Sequence, residues 1–196
     1  MVRQDERRSR TRAAILAAAR QNFGTFGFSK TTVDAIASDA SVAKGAVYHH
    51  FQSKDELFEQ VFESVSAELA KSVASGMRMD QDPLENMIEA TRSYFRLCSN
   101  PSIARITLQD APSVLGNERW RALDAAHFGG LVTGGLAFAM QAGAIAPQPL
   151  EPLANIVLAA IQAAALDCAA QKDFEASASI YVDTLETLLS GLAARA

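Results

Sequence analysis

Two short helical segments, separated only by Ser41 and Val42, constrain this chain more than any other feature. The first begins near Thr31, which can cap free backbone N–H groups, and carries Asp34 in its first turn. The second runs from about Ala43 to Phe51 and is too short to be stable alone, so it must pack on the first. Two short helices joined by so tight a turn predict a helix-turn-helix.

The residue types within this motif suit nucleic-acid binding. Six apolar residues can form a small core that fixes the angle between the two helices: Ile36, Ala37, Ala40, Val42, Val47 and Phe51. On the other side of the second helix, Lys44 can reach a phosphate or a guanine edge, and Gly45 and Ala46 add no bulk. Tyr48 and His49 can donate to phosphate oxygens. We therefore expect the second helix to enter the major groove of DNA.

Helical periodicity dominates the rest of the chain, and strand signals are almost absent. A first helix is predicted from near Glu6, with an inward stripe at Ile15, Ala19, Phe23 and Phe26 and a stop at Gly27. Ser53 to Glu56 forms a capping box that opens a long helix. Later helices are predicted over 83–98, 117–142, 151–171 and 174–194, with a break over 111–116.

Charge is distributed unevenly along the chain. Residues 1–54 hold nine basic and four acidic residues, whereas the remainder holds nine basic and eighteen acidic residues. A polyanion would attract the first part and repel the second.

Lys54, beside the free N–H groups that open the long helix, is a natural phosphate site. We divide the chain into a DNA-binding domain over 1–54 and a helical body over 55–196.

The motif resembles the DNA-binding domain of the TetR family of regulators. The similar stretches are Thr31 to Ala37, Ser41 to Phe51 and Ser53 to Leu57, preceded by an Ala-Ala-x-x-x-Phe-x-x-x-Gly-Phe pattern over Ala18–Phe28. Two positions depart from that pattern, since Ser41 stands where the family commonly has Gly, and Ala43 where a Ser usually caps the helix. A left-handed non-glycine residue and a lost cap each cost about 1 kcal/mol.

The resemblance implies an all-α protein with an N-terminal three-helix DNA-binding domain and a C-terminal helical domain that binds a small-molecule effector and dimerises. It implies a repressor whose homodimer binds a palindromic double-stranded operator and is released by the effector. The DNA contacts carried over to this chain are Thr32, Ala43, Lys44, Gly45, Ala46, Tyr48, His49 and Lys54. The last two helices, which are rich in small and branched apolar residues, would form the dimer interface as a four-helix bundle.

An effector pocket would lie among the helices over 83–142. Aromatic and methionine side chains there suit an apolar ligand with a few polar anchors. The candidates are Met87, Tyr94, Phe95, Cys98, Leu108, Trp120, His127, Phe128, Phe138 and Met140, each of which could equally be ordinary core.

Other classes find less support. The sequence lacks a nucleophile elbow, a phosphate-binding glycine loop and a His-x-x-x-His spacing, so we expect no catalysis, no metal and no cofactor. A DNA-binding architectural or protein-interaction module without an effector shares every motif here and stays open. Cys98 and Cys168 lack a Cys-x-x-Cys spacing and are expected to be buried thiols, a redox switch being the alternative. No signal peptide or membrane span is apparent, which indicates a cytoplasmic protein.

Overall fold

The computed structural model describes residues 2–78 and 80–193, with side chains from Asp5 onward. The described residues form helices and no strand, as the periodicity predicts. In chain order the helices are α1 (Val2–Phe26), α2 (Val33–Asp39), α3 (Lys44–His50), α4 (Lys54–Gly76), α5 (Pro83–Cys98), α6 (Pro101–Ala104), a π-helical turn (Arg105–Asp110), α7 (Ala111–Val114), α8 (Asn117–Gln141), α9 (Leu150–Ala170) and α10 (Phe174–Ser190).

The chain packs as two compact units. The first comprises residues 1–65 and 101–117, and the second comprises 66–100 and 118–196. The packing unit that holds the helix-turn-helix therefore takes in a later segment, 101–117, that lies far away in sequence. The predicted boundary at residue 54 separates DNA binding from effector binding and dimerisation. Packing does not measure that division, which stays a prediction.

In the first unit, α2 and α3 pack against α1. Ile15, Ala19 and Phe23 are buried along α1 as predicted. Phe23, Phe28 and Phe58 form a cluster of three rings with centroids 5.2–5.8 Å apart. The prediction for Phe26 was wrong, because this side chain is 57% exposed. It lies in the last turn of α1, beside the stripe, and Gly27, with φ 81°, then turns the chain away.

Threonine capping of α2 differs from the expectation by one residue. Thr32, rather than Thr31, is the N-cap, and its Oγ1 accepts from Ala35 N at 3.1 Å. Thr31 is buried, and its hydroxyl donates to Gly27 O at 2.8 Å. Both threonines satisfy backbone groups, one at the start of α2 and one at the end of α1.

The expected break over 111–116 was also placed too early. Ala111–Val114 is helical, and the chain leaves the helix only at Leu115 and Gly116, whose φ is 81°. Pro112 follows the π-helical turn directly, inside the continuous helical stretch from Pro101 to Val114, where it can donate no main-chain hydrogen bond.

In the second unit, α10 packs against α5 and α9, and α5 packs against α9. Asp82 caps α5, accepting from the N–H groups of Leu84 and Glu85. Of the described helices, α9 is long and apolar enough to cross a membrane by length and composition, a test that core helices also pass. It buries a polar side chain, Gln162, inside this unit.

Candidate functional site

The turn between α2 and α3 is tight and partly strained. Ser41 has φ 55°, the left-handed conformation expected at this position. Ser41 N donates to Ser38 O at 3.0 Å, and Val42 N donates to Ala37 O at 2.9 Å. These bonds satisfy carbonyls at the end of α2, which helps fix the direction in which α3 leaves.

Two buried side chains hold α3 against the unit. Val47 and Phe51 are each 2% exposed, and they pack in the core that also buries Ile36 and Ala37. Ala40 and Val42 are half-buried rather than fully internal. The opposite face of α3 is therefore free of core contacts.

Most of the residues predicted to contact DNA lie in or next to α3, and most of them are exposed. Two of them, Ala46 and Lys54, are half-buried. The exposed ones are Thr32, Ala43, Lys44, Gly45, Tyr48 and His49. Tyr48 is 48% exposed, which is unusual for a large aromatic side chain. Gly45 has open space where a Cβ would point, so a partner surface can approach the backbone there. Ala43 begins the helix without a side-chain cap, which leaves its first N–H groups available to an acceptor.

Lys44 forms an ion pair with the neighbouring helix. Its Nζ donates to Asp34 Oδ2 at 2.8 Å, and both side chains are more than half exposed. The Asp34 carboxylate raises the pKa of Lys44, first through this hydrogen bond and then through its charge. A phosphate would have to compete with Asp34 for this ammonium group.

His50, next to His49, faces a basic environment. Burial lowers the pKa of His50, and the charges of His49, Arg8 and Arg12 lower it further. The Arg12 guanidinium lies 5.1 Å from the centre of the Phe51 ring. The end of α3 and the N-terminal part of α1 thus bring several cationic or ionisable groups together in the first unit.

Lys54 is held by the backbone of its own unit. Its Nζ donates to Phe28 O at 2.9 Å and to Thr31 O at 3.1 Å, and it lies 4.0 Å from the centre of the Phe28 ring. Two of the three ammonium protons are therefore used inside the protein. Half of the predicted capping box at the start of α4 is formed, since Ser53 Oγ accepts from Glu56 N at 3.0 Å, whereas the Glu56 carboxylate accepts from Gln52 N at 2.6 Å instead of from Ser53 N.

Two side chains of segment 101–117 bind the backbone of Gly24–Phe28, at the turn between α1 and α2. Arg105 Nη1 donates to Gly24 O at 3.1 Å and to Thr25 O, the last carbonyls of α1. Asp110 Oδ2 accepts from Phe28 N at 2.7 Å. In an α-helix, residues five apart point about 140° away from each other, whereas i→i+5 bonding brings them closer to one face. The π-helical geometry therefore brings Arg105 and Asp110 to one side of the segment, from which both contact the turn between α1 and α2.

The second unit contains a mainly apolar cavity of about 60 Å³. Its walls come from α4, α5, α8, α9 and α10, and they include Met87, Tyr94 and Phe128 of the predicted pocket. The other predicted residues do not line it. Phe95, Cys98 and Trp120 are buried elsewhere, His127, Phe138 and Met140 are half-buried, and Leu108 belongs to the first unit.

Sequence reasoning missed the most polar group in this cavity. Asp124 is 6% exposed, and its Oδ2 accepts from Gln162 Nε2 at 2.7 Å. Burial raises the pKa of Asp124, against the opposing effects of the Gln162 hydrogen bond and of His127. An acidic residue inside the otherwise apolar stretch of α8 was the available signal.

One side of the last two helices remains uncovered in the single chain. Ile156, Ile180 and Leu188 are 67%, 68% and 61% exposed. The stretch from Pro152 to Leu166 of α9 carries no charged residue, and exposed Asn155, Ala159 and Ala163 share the face of Ile156. Exposed apolar residues on neighbouring helices are typical of a protein–protein interface.

The chain combines a helix-turn-helix whose second helix is exposed with a helical body that contains a cavity. This is the architecture of a DNA-binding transcriptional regulator. Two family models match: residues 15–61 match bacterial regulatory proteins of the tetR family, and residues 84–192 match the tetracycline-repressor-like C-terminal domain. The chain belongs to the TetR family, and it is a regulator rather than an enzyme.

Individual relatives agree with this assignment. A TetR-family transcriptional regulator from Pectobacterium atrosepticum, known from its crystal structure, is 30% identical, with 97% of each chain covered and a TM-score of 0.86. The HTH-type transcriptional regulator YhgD of Bacillus subtilis is 36% identical over 39% of this chain and 40% of its own length. The HTH-type transcriptional repressor KstR2 of Rhodococcus jostii is 29% identical over 58% of this chain and 56% of its own length. The matches with these two curated relatives thus span about half of their lengths or less.

Proposed function

We propose that this protein is a sequence-specific transcriptional repressor that binds a palindromic operator as a homodimer in the cytoplasm and leaves it when a small molecule enters the cavity. The observation that carries the proposal is the two-sided α3, which is anchored by Val47 and presents Lys44, Tyr48 and His49 to solvent. The naming of relatives such as KstR2 as repressors supports the direction of regulation.

The proposed DNA contacts have distinct tasks. Tyr48 donates its hydroxyl to a phosphate or packs on a sugar, and His49 donates to a phosphate. Lys44 exchanges Asp34 for a phosphate or a guanine edge. Gly45 and Ala46 allow α3 to approach the bases, and the exposed Thr32 and Ala43 contact the backbone at the two helix starts.

The homodimer would form through the uncovered face of α9 and α10. Burial of Ile156, Ile180 and Leu188 in a second copy would remove these exposed apolar side chains from water. Ile180→Asp should then give a monomer by sedimentation while the helical content stays unchanged. A monomeric wild-type protein at micromolar concentration, or an I180D protein that stays dimeric, would contradict this interface.

A gel-shift with the DNA upstream of the protein's own gene, at two salt concentrations, tests the DNA-binding function. A discrete complex that survives competitor DNA is expected. Lys44→Ala and Tyr48→Ala should weaken it, and Lys44→Ala should also reduce the salt slope by about 1. Lys172→Ala, an equal charge change in the α9–α10 turn, is the matched control and should bind like the wild type.

The other outcomes of this gel-shift would contradict particular parts of the proposal. A complex lost to any competitor would favour the architectural alternative, in which DNA is bound without sequence preference. No complex even at low salt would mean that Ser41 and Ala43 mark a domain without DNA function. Equal weakening by Lys44→Ala and Lys172→Ala would show that net charge, and not α3, determines the affinity.

A further inference from the structure

In the described part of the chain, the lining of the cavity in the second unit contains an acidic side chain and no basic one. Among the described residues that line it, thirteen are uncharged at neutral pH and one, Asp124, is acidic, whereas none is Lys, Arg or His. Two further lining residues carry polar side-chain atoms, Thr91 and Tyr94. The cavity therefore offers a negative charge and no fixed positive charge to a ligand.

The polar side chains other than Asp124 already have partners. Thr91 Oγ1 donates to Met87 O, one turn back in α5, at 2.9 Å. The Tyr94 hydroxyl forms a hydrogen bond with the Cys98 thiol. Asp124 accepts one bond from Gln162, and a carboxylate has room for about four such bonds. Asp124 is thus the group with the most capacity left to bind a donor.

A buried carboxylate is costly unless its charge is paired, and the single hydrogen bond from Gln162 offsets only part of that cost for Asp124. The raised pKa of Asp124 reflects that cost, since burial disfavours its charged form. A cation beside the carboxylate would restore the charged form and offset the cost. An anion there would increase it.

The apolar walls also suit a cation attached to a hydrophobic body. The rings of Tyr94 and Phe128 meet edge to face with centroids 5.3 Å apart, and aromatic faces attract cations. Met77 and Met87 add polarizable thioethers that adapt to the shape of a ligand. The cavity of about 60 Å³ is smaller than the roughly 150 Å³ that accommodates a benzene ring, so a ligand of one ring enters only when flexible side chains such as Met77 and Met87 shift.

We propose that this cavity takes a small apolar amine whose ammonium group donates to Asp124, and that it discriminates against carboxylates and phosphates. This proposal rests on the proposed function in one respect, which is that it assigns a chemical class to the effector.

Three probes of one size test the charge preference: benzylamine, benzyl alcohol and benzoate, titrated calorimetrically into the full chain at neutral pH. We expect one benzylamine per protomer, bound roughly tenfold or more tightly than benzyl alcohol, because a charge-assisted hydrogen bond exceeds a neutral one. Benzoate should give no binding at millimolar concentration. Benzoate binding as tightly as benzylamine, or no binding of any probe, would overturn the proposal.

Asp124→Asn keeps the shape of the side chain and can still accept from Gln162 through its amide oxygen. It should weaken benzylamine by about tenfold to a hundredfold and leave benzyl alcohol within about twofold. Thr91→Val, which removes a cavity hydroxyl without a charge, is the matched control and should retain benzylamine binding. Unchanged benzylamine binding to D124N would overturn the role of Asp124. If D124N does not fold, the order of the three probes on the wild type decides.

A gel-shift in the presence of benzylamine separates this inference from the proposed function. Loss of the DNA complex in wild type but not in D124N supports both. Calorimetric binding with an unchanged DNA complex upholds the amine preference and contradicts effector release by this class. Loss of the complex in wild type and D124N alike contradicts a role for Asp124, while leaving the DNA-binding function intact.

Discussion

Removing the side chains that hold the turn between α1 and α2 should destabilise the first unit and weaken DNA binding without removing a DNA contact. Arg105 donates to the carbonyls of Gly24 and Thr25, and Asp110 accepts from Phe28 N at 2.7 Å. The turn that they hold leads directly into Thr32 and α2. Arg105→Ala and Asp110→Ala are the informative perturbations.

The expected magnitude follows from the kind of hydrogen bond lost. A hydrogen bond to a charged group contributes about 1.5–3 kcal/mol, and a cation at a helix C-terminus adds about 0.3–1 kcal/mol. Arg105 and Asp110 are half-buried, so solvent screening places both variants toward the lower end, at about 1.5–2 kcal/mol. Asp110→Asn keeps an oxygen acceptor for Phe28 N without the charge and should lose only about 1 kcal/mol.

Urea unfolding followed by circular dichroism measures the stability, and a gel-shift at several salt concentrations measures the DNA affinity. DNA binding should weaken in R105A and D110A, with the salt slope unchanged, because no phosphate contact is lost. A reduced salt slope would mean that Arg105 contacts phosphate itself. Equal stability losses for D110N and D110A would refute the claim that Asp110 acts by accepting from Phe28 N.

Three further predictions concern Ser41, Ala43 and the two cysteines. Ser41→Gly should raise the free energy of unfolding by about 1 kcal/mol in urea melts, because Ser41 has φ 55°, and a destabilised variant would contradict the left-handed turn. Ala43→Ser should raise the stability by about 1 kcal/mol, because α3 begins without a side-chain cap; an unchanged melting temperature would indicate that the N–H groups are already satisfied. Burial raises the pKa of Cys98 to about 12 and that of Cys168 to about 11, so both should react with a disulfide reagent at neutral pH only after unfolding, and rapid labelling of the native protein would contradict their burial.

Local signals in the sequence were sufficient for most of the helices. Asp82 and Pro83 start α5 where the sequence indicated, and the Ser53 hydroxyl caps α4, since these signals depend on neighbours within four residues. The choice between Thr31 and Thr32 could not be made in this way, because either hydroxyl can cap α2. Packing decides it, since Thr31 is buried against the end of α1.

Features that depend on contacts distant in sequence were missed. The π-helical turn is compatible with an ordinary helical pattern, and its partners, Gly24 to Phe28, lie about eighty residues earlier. Likewise, the cavity depends on how α5, α8, α9 and α10 assemble, so three predicted residues line it while Trp120 and Phe95 do not. Aromatic and methionine content identifies apolar surface but not which part of it stays uncovered.

Lys54 illustrates how position along the chain and chemical role can separate. The sequence places a cation beside the free N–H groups of α4, where a phosphate would be attracted. Folding brings the carbonyls of Phe28 and Thr31 to the same ammonium group, and they take two of its three protons. Those carbonyls flank the turn that Asp110 holds from the other direction, through Phe28 N. Lys54 thus holds the turn from which α2 starts with two of its N–H groups, and we propose that the third is the one available to a phosphate.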